Sequence, residues 1–119
     1  MEVRAITKYA RMSCQKGHDV ARKIQGMPAV RALEILQFTP KKSARLLEKT
    51  LRSAVANADQ STRQQGGKFD STLWNVKEAQ FSRGPQSNRF KAGARGSAKP
   101  RIRRSCHVRV VLSDGVKGK

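Results

Sequence analysis

Apolar positions recur at helical spacing in the first half of this chain and at strand spacing in the second. Residues 3–11, containing VRAITKYA, read as a short edge strand. Ser13 is placed to cap a helix running to about Gln25, with Gly26 in the usual C-terminal position. Gly17 inside that helix costs up to about 1 kcal/mol relative to Ala. A second helix begins near Pro28, a residue suited to a first turn, and its Ala29, Leu33 and Leu36 recur at spacings of four and three. The third helix is the clearest element. Thr39 can cap it and Pro40 can start it, and Ala44, Leu47, Leu51, Ala54, Val55 and Ala58 then form one apolar stripe.

Residues 61–71 (STRQQGGKFDS) read as a loop, marked by Gly66 and Gly67. Trp74 and Val76 share one strand face, while Ala79 and Phe81 continue the alternation in the opposite phase. That shift predicts a bulge or bend around Lys77 and Glu78. Near the C-terminus Ile102, Cys106, Val108, Val110 and Leu112 point one way, and Arg101, Arg103, Ser105, His107 and Arg109 the other. Arg104 breaks the inward set, which places it beyond the core.

Between these strands lies SRGPQSNRFKAGARGSAKPRIRRS, residues 82–105, whose only large apolar side chains are Phe90 and Ile102. Such a composition alone predicts disorder. Because strands flank it on both sides, it reads instead as the distal part of a long antiparallel hairpin. From Trp74 to the region of Gly93 an extended chain covers roughly 60 Å. No core of this size could cover that length, so the arm projects.

Charge changes the picture most. The 119 residues carry 26 Lys and Arg against 8 Asp and Glu, a net charge of +18 that calls for a polyanionic partner. Residues 79–113 hold nine basic residues and no acid, and seven of the nine are Arg, suited to bidentate phosphate contacts. Lys42, Arg45, Lys49 and Arg52 form a second basic face on the third helix. Lys41 and Lys42 sit in its first turn, where the helix dipole favours anions, so a docked phosphate would account for them. Aromatics make up 5% of the chain, which argues against base stacking as the main binding device.

Other chemistry finds little support. Cys14 and Cys106 are single and far apart, with neither zinc spacing nor a suggested disulfide. No apolar run spans a membrane and the N-terminus has no apolar signal region, so a soluble intracellular protein is expected. His18 and His107 have no spaced carboxylate or nucleophile, and no nucleotide-binding fingerprint is present. An enzyme is not expected, and no cofactor or metal.

The run ALEILQFTPKKSARLLEKTLRSAVANA (residues 32–58) closely resembles the family of large-subunit ribosomal protein twenty-two. RSCHVRVVLSD (residues 104–114) resembles that family's closing strand, MSCQKGHDVARKIQG its first helix, and Gly84-Pro85 with the basic Gly/Ala-rich loop its extended hairpin. The resemblance implies an α+β fold over residues 1–119 as one domain. A small globular body of three helices packs on a three-stranded antiparallel sheet, with a long protruding β-hairpin at about 82–105. It implies a place in the large subunit of cytoplasmic ribosomes, contacts with large-subunit RNA and neighbouring ribosomal proteins, a role in subunit assembly, and no homo-oligomer. The hairpin would line the polypeptide exit tunnel beside the nascent chain, where the family's tip influences macrolide sensitivity and stalling. The RNA contacts implied are Arg11, Lys16, Lys41, Lys42, Arg45, Lys49, Arg83, Arg89, Lys99, Arg101, Arg103, Arg104, His107 and Arg109. The tunnel-lining tip is Ser87, Asn88, Arg89, Phe90, Lys91, Ala92, Gly93, Ala94 and Arg95. AGARGSA (residues 92–98) departs from the family's usual PRAxGRA, so that Gly93 and Ser97 stand where arginines are usual. Gly17-His18 stands in place of a common Val-Arg pair, and Arg83 in place of an acid.

Two other classes would share the charge. A DNA-bending architectural protein would be an obligate dimer whose arm carries an apolar wedge, for which Phe90 is the only candidate. A membrane-surface protein would need bulky apolar residues opposite the basic helical face, where the third helix has leucines and small residues.

Overall fold

The computed structural model describes residues 2–114. Strand β1 (Glu2–Ala10) leads into helices α1 (Cys14–Ile24), α2 (Ala29–Phe38) and α3 (Lys42–Gln64). A short 3-10 turn (Ser71–Leu73) then precedes β2 (Asn75–Arg83), β3 (Ser87–Ala92), β4 (Ala98–Arg103) and β5 (Cys106–Ser113). The body's sheet runs β1-β5-β2, antiparallel throughout, while β3 and β4 form a separate two-stranded sheet.

β5 is central because its alternation is the most regular: Cys106, Val108, Val110 and Leu112 are each fully buried. The apolar stripe of α3 packs over β1 and β5, α1 packs over β2, and α2 lies against α3. Ala44, Leu47, Leu51, Ala54 and Ala58 are fully buried as the stripe predicts, with Val55 at its margin. Thr50, also buried, donates to the Leu46 carbonyl at 2.9 Å and shares a 2.7 Å hydroxyl contact with Thr7, tying α3 to β1. The predicted bulge in β2 is present, as a register shift between Val76 and Glu78 against β5. The outer edge of β2 is closed by the α1–α2 connection, where Gly26 N–H donates to Val76 O, Val76 N–H to Met27 O and Ala29 N–H to Trp74 O.

The sequence reading misplaces several boundaries. Thr39 and Pro40 do not start α3. Thr39 ends α2, its hydroxyl donating to Ile35 O at 2.7 Å, and Lys41 is the residue that precedes α3. Pro28 sits just before α2 rather than in its first turn, and Ser13 precedes α1 without a side-chain capping bond. α3 continues through residues 61–64, where the sequence predicts loop, and ends at Gln64, with Gly66 just beyond it at φ +79°. Ile102 does not join the inward row of β5. The strand is interrupted at Arg104 and Ser105, leaving Ile102 on β4 and 51% exposed.

Candidate nucleic-acid interface

Every residue of β3 and β4 is exposed, so the arm adds nothing to the core. With it the molecule measures 67 × 26 × 20 Å. At its root the two legs are tied to each other. Gly84 N–H donates to Ser105 O at 3.0 Å, and the Ser105 hydroxyl donates to Pro85 O at 2.5 Å. A β-carbon at Gly84 would lie 2.7 Å from Ser105 Oγ, so a larger residue there would displace the hydroxyl that bonds Pro85.

Beside this root the end of β1, the start of α1, the first turn of α3 and both arm strands enclose an open cleft of about 860 Å³. Arg11, Lys16, Lys42, Arg89, Arg103 and Arg104 line it, and among the described residues no carboxylate does. Lys42 Nζ donates to the Arg11 carbonyl at 2.6 Å, which fixes the first turn of α3 against the end of β1. Six cations around one opening repel one another unless an anion fills it. Nearby, burial pushes the Cys106 thiol up from its ordinary range, as does Cys14, while Lys42 opposes the shift. That thiol is therefore kept in its protonated form at neutral pH.

The register of the arm sorts its side chains. Arg89 lies opposite Arg101, Lys91 opposite Lys99, and Ser87 opposite Arg103, so these share one face. Asn88 opposite Ile102, Phe90 opposite Pro100 and Ala92 opposite Ala98 share the other. Like charges placed directly across a strand pair destabilise it, so the basic face is arranged for something outside the chain.

At the end of the arm Gly93 N–H donates to Ser97 O at 2.6 Å and the Ser97 hydroxyl donates to Ala94 O at 2.7 Å. Arg95 and Gly96 take positive φ of 58° and 74°. A β-carbon on Gly93 would lie 2.8 Å from Ser97 O. The departures at Gly93 and Ser97 are thus the residues that close this turn. Of the positions expected at the tip, Gly93, Ala94 and Arg95 lie in the turn, while Ser87, Asn88, Arg89, Phe90, Lys91 and Ala92 form the strand leading to it.

The remaining candidates are dispersed. Lys41 borders α3, and Arg45 and Lys49 are exposed further along it. Lys99 and Arg101 lie on the arm, and Arg83 lies on another side of its root near Gln15 and Gln86. His107 and Arg109 lie half-buried on the sheet face away from the helices. His107 is already engaged: its Nδ1 accepts the Tyr9 N–H at 3.1 Å, and the Tyr9 ring meets it edge-on with centroids 5.2 Å apart. Arg109 Nε is buried without a partner among the described residues. The sequence reading missed Tyr9, which lines the cleft from a β1 bulge at φ 62°. No periodicity marks that position, because the bulge arises from the pairing with β5.

The family profile described as "Ribosomal protein L22p/L17e" matches residues 5–113. Among curated proteins, the "Large ribosomal subunit protein uL22" of Opitutus terrae is 50% identical over 115 residues, covering 97% of each chain. Proteins of the same name from Akkermansia muciniphila and Methylacidiphilum infernorum are 44% and 46% identical, each over 96% of this chain and at least 96% of their own. A match that runs from β1 to the end of β5, with relatives aligned over nearly their whole lengths, places this chain in the uL22 family of large-subunit ribosomal proteins.

Proposed function

We propose that the chain is a structural constituent of the large ribosomal subunit in the cytoplasm, without catalytic activity, which binds the subunit's RNA and aids its assembly. The cleft receives RNA phosphates at Arg11, Lys16, Lys42, Arg89, Arg103 and Arg104. Lys41, Arg45 and Lys49 extend the contact along α3, and Arg83, Lys99, Arg101, His107 and Arg109 extend it along the arm and sheet. Neighbouring ribosomal proteins flank the body. The arm reaches the polypeptide exit tunnel, where residues 87–95 line the wall beside the growing peptide. The observation that carries this reading is the acid-free cleft at the root of an arm whose basic face pairs like with like. A polyanion would relieve the repulsion that such an arrangement carries.

Binding to a large-subunit RNA transcript is expected to weaken steeply and log-linearly with salt. Lys42→Ala and Arg103→Ala are each expected to lower the slope by about one if each neutralises one phosphate. A flat salt response would sink the reading. A photo-crosslinker at Ala94 should reach large-subunit RNA and growing peptides in a lysate; attachment to chromosomal DNA instead would favour an architectural DNA-binding role.

A further inference from the structure

We infer that the second face of the arm, centred on Phe90, receives an unpaired base of the same RNA whose phosphates the first face binds. This deepens the RNA-binding reading and rests on it. Phe90 is 74% exposed, on a ribbon with no core behind it. Its cross-strand partner is Pro100, with Ile102 and Asn88 paired on the same face toward the root and Ala92 and Ala98 toward the tip.

The ladder favours this arrangement. Gly93 N–H bonds to Ser97 O, so alternation along an antiparallel pair leaves Phe90 and Pro100 as a non-hydrogen-bonded pair. Pro100 therefore sacrifices no ladder bond, and side chains at such pairs stand closest together. Phe90 thus offers an exposed apolar ring, with Pro100 directly across the strand pair. Asn88, two residues away on the same strand and face, stands about 7 Å off and carries both a donor and an acceptor for a base edge. The small side chains of Ala92 and Ala98 leave room on the other side.

A protein partner docking here would find a strip one aromatic wide, far short of the roughly 800 Å² per side of a stable interface. A nucleotide instead joins a flat apolar ring to an anion, and this ribbon offers a surface for each on its two faces. Unstacked bases held on aromatic side chains are a general mode of RNA recognition.

The test uses the full chain and a large-subunit RNA transcript. Phe90 is exposed, so its variants keep the fold. Phe90→Leu is expected to weaken binding by roughly 5- to 150-fold, the range for losing one base–aromatic stack, with the salt slope unchanged. Phe90→Trp is expected to restore affinity, its emission quenched by RNA over the steady signal of buried Trp74. If Phe90→Leu binds like the parent while the salt slope stays steep, the stacking inference fails and the RNA reading stands. If the parent's slope is flat, both fall. A benzophenone at position 90 that labels growing peptide and no RNA in assembled ribosomes would also overturn the inference, assigning this face to the nascent chain.

Discussion

A β-carbon at Gly17 would lie 2.6 Å from three ring carbons of Phe81. Seen along the chain, this glycine only weakens α1. In the fold it is the gap through which Phe81, 4% exposed, reaches the core beneath the helix. Gly17→Ala would gain about 1 kcal/mol of helix propensity but overpack a filled site, which costs about 1–3 kcal/mol. Net destabilisation is expected, and Phe81→Leu should relieve part of it. A double-mutant cycle in urea checks this: additive effects at the two sites would show that they do not touch. The pairing was not legible in the sequence because Phe81 comes from a distant strand. The Gly93 and Ser97 departures were visible as departures, yet their reason lies in backbone distances across a turn.

At the scale of elements, periodicity served best where one face is buried along its whole length. The α3 stripe and the β5 row could be read directly, and the phase change in β2 located its bulge. Boundaries fared worse. A Thr-Pro pair looks the same whether it ends one helix or opens the next, and only the Thr39–Ile35 bond decides. The alternation also ran on past Arg104 to Ile102 because a strand interruption leaves no mark on periodicity. For the arm, alternation carries a prediction. Lys91 faces Lys99 with no counter-charge on either arm strand, and a two-stranded hairpin by itself is marginal in water. Lys99→Glu should turn that repulsion into a cross-strand pair. Amide exchange over residues 87–103 is expected to slow in the free protein while RNA affinity falls. An exchange rate that does not change would mean that charge does not limit the order of the arm.

The whole molecule joins a body that buries its own core to an arm that buries nothing. Its cationic residues could be found one by one in the sequence. Their convergence could not, since Arg11, Lys16 and Lys42 meet Arg89, Arg103 and Arg104 only once β1, α1 and α3 have packed. Where the arm leaves the body, two hydrogen bonds tie Gly84 and Pro85 on one leg to Ser105 on the other, so the two legs leave as one unit. That root makes the order of events predictable. Once the body has landed on RNA, the tip is confined to a small volume at high effective concentration, so its own engagement is first order. Association should therefore show a fast phase whose rate rises with protein concentration and a slower one whose rate does not. A chain lacking residues 86–99 should keep the first and lose the second, and a single phase in the intact chain would mean that body and arm arrive together. In this way the tether at the root acts as a timing device, making the body the scout and the arm the follower.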